Sequence, residues 1–180
     1  MILEQMAKRL YDQSSFESAV QVVLNDAIAL HGAEFGNVQL AAGDYLVIAA
    51  QRGFKASFVD FFARVRADDG CSCGRALRIG RTMVIRDIEV DAEYAPYRAA
   101  ARAAGFRSVM TTPLFTSKKV LIGTVSTHFV NVHTPTAIEI NTLGSYSMAA
   151  ADHLYSLLNG ETIEAKALSM SSRLSAALAN

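Results

Sequence analysis

The spacing of apolar residues changes several times along the chain, and each change marks an element. Ile2, Leu3, Met6 and Leu10 recur at helical intervals, which predicts an opening helix. Ser14 and Ser15 break that pattern. Ser15 is placed to cap a second helix, with Ser18 where a capping box prefers Glu. Phe16, Val20, Val23, Leu24, Ala27 and Leu30 form its apolar face, and His31-Gly32 reads as its end. Two short apolar runs follow at residues 37–41 and 45–50, joined by the turn residues Ala42-Gly43-Asp44 as a hairpin. Gly53 stops the second run. Phe54, Phe58, Phe61, Phe62 and Val65 return to helical spacing, Asp68-Asp69-Gly70 is a turn, and residues 73–79 suit a short helix closed by Gly80.

Residues 82–86 form a third strand. A loop at 87–91 leads to an alanine-rich helix at 95–104, ended by Gly105. Long strands at 107–115 and 120–130 flank a hairpin at Thr116-Ser117-Lys118-Lys119. Thr134-Pro135 supplies a cap and a proline at the first helical position. The helix then runs through Ile138, Leu143, Ala150, Leu154 and Leu158. Beyond Gly160, Ile163, Ala167, Met170, Leu174 and Leu178 put an apolar stripe on a last helix. No folded segment is expected after it to pack against, so a partner chain is its expected cover, with fraying of the last turns as the alternative. Hairpins at both ends of the strand set imply antiparallel pairing. One sheet covered by helices, an α+β arrangement, is the economical packing.

Composition narrows the classes. The 180 residues suffice for one domain with a full core, and 51% apolar with 19% charged residues is a globular balance. Seventeen basic residues match seventeen acidic ones, which gives no global attraction to nucleic acid or to an anionic membrane surface. No apolar run reaches a membrane span, and residues 1–10 lack a signal core, so a cytoplasmic location is expected. The two cysteines, Cys71 and Cys73, are too close for an unstrained disulfide and suit a reducing compartment. They also lack the spacing and neighbours of a metal shell, so no metal site is expected.

Three segments resemble the GAF family: Cys73-Gly-Arg-Ala-Leu-Arg-Ile-Gly80 with Val84-Ile-Arg-Asp87-Ile88; residues 97–113 with Ala104-Gly-Phe-Arg-Ser-Val109; and Leu121-Ile-Gly-Thr-Val-Ser-Thr-His128-Phe129. The resemblance covers about residues 16–158 and points to sensory GAF modules of bacterial sensor kinases and regulators, including two-component systems. It implies a PAS-like antiparallel sheet of five to six strands with helices on both faces. One face would hold a ligand pocket and the other the dimer helices. The expected organisation is a dimerisation helix at 1–14, a GAF domain at 15–159 and a signalling or linker helix at 160–180. The resemblance also implies a homodimer, with a histidine kinase or other output domain as a further partner.

The same resemblance places the pocket. His128 faces the ligand, and alternation puts Ser126 and Thr124 beside it. Val109 and Thr111 join from the neighbouring strand, Tyr94 and Tyr97 from the covering segment, and Asp87 from the loop after the third strand. Hydroxyls, an imidazole and a carboxylate in an apolar cavity make a ligand site. Each also has a plain structural reading: Asp87 as a turn cap, the tyrosines as packing aromatics, His128 as a core histidine. Cys73 stands where a helix begins, and exposed amides there favour a thiolate, which makes it a possible redox residue. Its structural reading is a small buried side chain. Cys71 reads as an incidental exposed thiol, and His133 as exposed.

Chemistry in the family takes several forms. Free methionine sulfoxide reductases of this fold need a further cysteine before the long strands, and residues 94–112 hold none. The Cys-His pair through which many GAF modules attach bilin falls on Pro96 and Tyr97, so no covalent bilin is expected. Haem gains little support from lone histidines at 128 and 133. No catalytic motif of a hydrolase, nucleotide-binding enzyme or kinase is present. The reading is a non-catalytic sensor of an unidentified small molecule that signals through terminal helices. The alternatives are a dimerisation module with a vestigial pocket, which a cavity plugged by the aromatics of residues 54–62 would favour, and a thiol reductase.

Overall fold

A computed structural model describes residues 2–179. Met1 and Asn180, the outer bounds expected for the first and last segments, lie outside the described residues. Helices α1 (Ile2–Tyr11) and α2 (Phe16–His31) precede the hairpin of β1 (Phe35–Ala42) and β2 (Tyr45–Arg52). Then come α3 (Ala56–Phe61), α4 (Ser72–Ile79), β3 (Met83–Ile85), a 3-10 turn at Ala95–Tyr97 and α5 (Arg98–Ala104). Strands β4 (Ser108–Phe115) and β5 (Leu121–Phe129) and helices α6 (Ala137–Ser156) and α7 (Ile163–Leu178) complete the chain. The five strands form one antiparallel sheet in the order β2-β1-β5-β4-β3, with helices on both faces.

Strand alternation divides the apolar residues between two cores. On one face Val38, Leu40, Met110 and Val125 pack beneath α1, α2, α6 and α7. On the other, Ile48, Ile85 and Val109 pack beneath α3, α4 and the segment around Tyr94. Ser15 caps α2 as its position predicts, accepting the Ser18 amide at 3.1 Å. The buried Asp26 carboxylate ties three helices together: the half-exposed Arg9 of α1 donates to its Oδ1 at 2.6 Å, and Tyr146 of α6 donates to its Oδ2 at 2.8 Å.

Several expectations shift. The cap of α6 is Thr136, not Thr134, because Glu139 stands three residues on and returns the bond to the Thr136 amide. Only Ala56–Phe61 is helical in the aromatic segment, and Lys55 offers no side-chain cap. Val65 instead bridges to Leu46 at the sheet edge. The largest change is α7. Ala167 and Met170 enter the first core, Leu174 and Leu178 pack against the second, and the helix lies along β1 and β2 and reaches α3. The apolar stripe is therefore covered by the chain's own sheet. No helix among the described residues is long and apolar enough to cross a membrane.

Candidate ligand-binding site

The second core contains a polar floor. Residues 37 and 39 alternate with Val38 and Leu40, so both amide side chains leave the apolar face. Register sets Asn37 opposite Ser126 and Gln39 opposite Thr124 across β1 and β5. Across β5 and β4 it sets Ser126 opposite Thr111 and His128 opposite Val109. Close strand approach is built in at Gly123, where an added Cβ would lie 1.9 Å from the Gln39 carbonyl oxygen.

The roof consists of Phe58 of α3, Phe62 at its C-terminal cap, Cys71 at the N-cap of α4, Ser72 and Cys73 in its first turn, and Tyr94. Gly74 lets α4 press against the preceding turn, since a Cβ there would meet the Asp69 and Arg66 carbonyl oxygens at 2.4 and 2.5 Å. That approach carries both cysteines inward. Ser72 Oγ donates to Thr111 Oγ1 at 2.8 Å, Thr111 and Ser126 share a 2.8 Å bond, and Cys73 Sγ lies 3.4 Å from Ser126 Oγ. Cys71 is buried, not exposed as its position in a turn suggests. Burial pushes its thiol up to about 12 and raises Cys73 as well. At Cys73 desolvation outweighs the helix-start amides and the hydroxyl contacts, so burial disfavours the thiolate that a helix start can promote, in keeping with its structural reading as a small buried side chain.

Not every floor group has a partner. Asn37 Oδ1, Gln39 Oε1, Thr124 Oγ1 and His128 Nδ1 are buried without a hydrogen bond. Each such atom costs about 1–3 kcal/mol. The His128 ring is walled edge-on by Phe54, Phe58 and Phe106 at centroid distances of 4.9, 5.9 and 4.6 Å. Burial drives its pKa down to about 3, so the imidazole is neutral. Phe58 and Phe62 fill most of the space above it and leave a cavity of about 10 Å³, room for one water.

The structure thus brings together Tyr94, Val109, Thr111, Thr124, Ser126, His128 and Cys73 on one core. Tyr97 stands at the rim, its hydroxyl accepting the Gly70 amide at 3.2 Å. Asp87 lies outside. Its carboxylate accepts from the Glu89 amide and pairs with Arg107 at 2.8 Å, which holds its pKa below the ordinary range. The residues that sequence reasoning missed are Asn37 and Gln39, whose signal is a polar period of two in β1. His133 is half-buried and stacked on Phe129 rather than exposed. His31 bonds Thr127 on the opposite face, and His153 bonds the Gln13 carbonyl. Among the described residues no group of three His, Cys, Asp or Glu could hold a metal.

This polar-floored sheet under a short-helix roof is a GAF domain: the GAF family model matches residues 13–154, and the chain belongs to that family. No curated protein sequence matches it. Among solved structures it is similar to the free methionine-R-sulfoxide reductase of Neisseria meningitidis in complex with its substrate, at 19% identity, 88% of this chain, 89% of that one and a TM-score of 0.72. It is also similar to the GAF domain of an Acinetobacter phosphoenolpyruvate-protein phosphotransferase, at 9% identity, 86% and 91% coverage and a TM-score of 0.71. A third likeness is to the chromophore-binding domain of an unusual bacteriophytochrome from R. palustris, at 15% identity, 89% and 62% coverage and a TM-score of 0.68. The expectation that the domain is non-catalytic is thereby overturned, because this fold includes a reductase as well as sensor modules.

Proposed function

We propose that this GAF domain senses a small molecule held between the polar floor and the aromatic roof. The observation that carries the reading is the set of four buried, unpartnered polar atoms on one core. A vestigial pocket gains nothing from keeping that cost. The near-closure by Phe58 and Phe62 favours the dimerisation-only alternative on volume alone, but Phe58 belongs to a six-residue helix without a side-chain N-cap and Phe62 ends it, a roof that a ligand can lift. Exposed Ile2, Tyr11, Ile138, Met148 and Tyr155 on α1 and α6 support a homodimer face on the far side of the sheet. Native mass spectrometry of freshly purified protein, with and without His128→Ala, tests the reading. A retained small molecule lost in the variant supports it. An empty wild-type protein whose stability is unchanged by His128→Ala counts against it.

A second reading rests on Cys71 and Cys73 lining the same cavity beside Ser72. That arrangement supports thiol chemistry on a bound sulfoxide. Consumption of free methionine sulfoxide with a dithiol reductant, abolished by Cys73→Ser, is the expected sign of it; an unchanged rate in the variant removes it.

A further inference from the structure

We infer that Asn37 and Gln39 are specificity determinants for an uncharged, planar, hydrogen-bond-donating ligand, an inference that rests on the pocket reading above. Both side chains are 1–2% exposed and line the cavity, and their carboxamide oxygens are buried without partners. They stand two residues apart on β1, so their polar ends form a short row beside the neutral His128 imidazole of β5. Two acceptor oxygens and an imidazole nitrogen in one row call for a ligand edge bearing N–H or O–H groups.

The lining decides charge. No Asp, Glu, Lys or Arg is among the residues lining this cavity. Carboxylates behind the roof are engaged elsewhere: Asp69 accepts the Arg66 amide, Asp91 pairs with Arg75, and Glu93 pairs with Arg75 and Arg78. An anion or a zwitterion would enter without a counter-charge, which an enclosed site strongly disfavours. Shape follows from the roof. Phe54 and Phe58 are stacked with centroids 3.7 Å apart, and a flat ring replacing one of them keeps the stacked and edge-on contacts that now surround His128. An amide or lactam on an aromatic ring joins these requirements.

The test uses the full chain and matched probes. Nicotinamide and hypoxanthine are uncharged planar amides; nicotinate and free methionine sulfoxide carry charge. Nicotinamide or hypoxanthine is expected to raise the melting temperature of wild type, with the shift lost in Gln39→Met and Asn37→Leu. Without probe, each variant is expected to melt about 2 to 4 °C higher, because an unpartnered polar atom has been removed. Thr111→Val provides the contrast, since its hydroxyl is bonded to Ser72 and Ser126, and should melt lower. An equal or larger shift from nicotinate or methionine sulfoxide, lost in His128→Phe, overturns the charge inference and leaves the pocket standing. Probe-free Gln39→Met and Asn37→Leu melting below wild type, with no response to any probe, removes both.

Discussion

Acid should unfold this domain through His128, and the size of the effect follows from burial. The imidazole has an ordinary pKa of 6.5 and is held at about 3 in the fold, because burial disfavours its charged form. A depressed folded pKa gives stability that is complete above pH 6.5 and is lost as pH falls toward 3. In that window the unfolded chain binds the proton and the folded chain does not. Each pH unit then costs about 1.4 kcal/mol, so about 2 kcal/mol is gone by pH 5. His31 is lowered in the same direction by its own burial, so wild type loses stability at both sites. The His128→Phe variant isolates one of them, since a phenyl ring keeps the edge-on contacts with Phe54, Phe58 and Phe106. Urea unfolding at pH 7.5, 6 and 5 is the assay. The wild-type free energy should fall with acid more steeply than that of His128→Phe, by about 2 kcal/mol over the range. Parallel slopes would refute the argument and place the ring in contact with water.

Three further outcomes are expected. Met170→Ala should cost about 2 kcal/mol in urea unfolding, because α7 is part of the first core; an unchanged midpoint would detach α7 from the sheet. Gly123→Ala should lose more than about 4 kcal/mol or fail to fold, since its Cβ meets the Gln39 backbone oxygen; a melting curve like wild type would contradict that approach. In the native protein at pH 8, alkylation of Cys71 by iodoacetamide should run about a thousandfold slower than in urea, given a thiol held at about 12 against an ordinary 9. Mass spectrometry over time reads the rate, and fast native labelling would show an open roof.

Local chemistry made much of this fold legible. The strand runs at residues 45–50 and 107–115, the Gly43 hairpin and the Ser15 cap depend on neighbours close in sequence, and they stand nearly as read. Thr111, Ser126 and His128 were also readable, because the GAF resemblance turns His128 and Thr111 toward the pocket and a strand's period of two carries that face to Ser126. The failures involve distance. Asp87 leaves the pocket because register delivers Arg107 to it from twenty residues away. Cys71 is buried because Gly74 admits a backbone approach that no side-chain pattern announces. Asn37 and Gln39 resemble the wet side of an edge hairpin, yet β1 lies between β2 and β5 beneath α3. The stripe on α7 is apolar whichever surface covers it, so periodicity alone could not choose between a partner and the chain's own sheet.

The two seats of α7 make it a lever with a fixed end and a free end. Ala167 and Met170 are clamped in a core remote from the cavity, while Leu174 and Leu178 rest on the core that contains it. Between them Ser171, Ser172 and Arg173 carry no buried side chain. Any lift of α3 alters the second seat and leaves the first in place, so the load falls on that short exposed span. A rearrangement of aromatic rings deep in the domain is thus translated into the pitch of a surface helix. Amide exchange at residues 171–178 would register it, while residues 163–170 stayed protected.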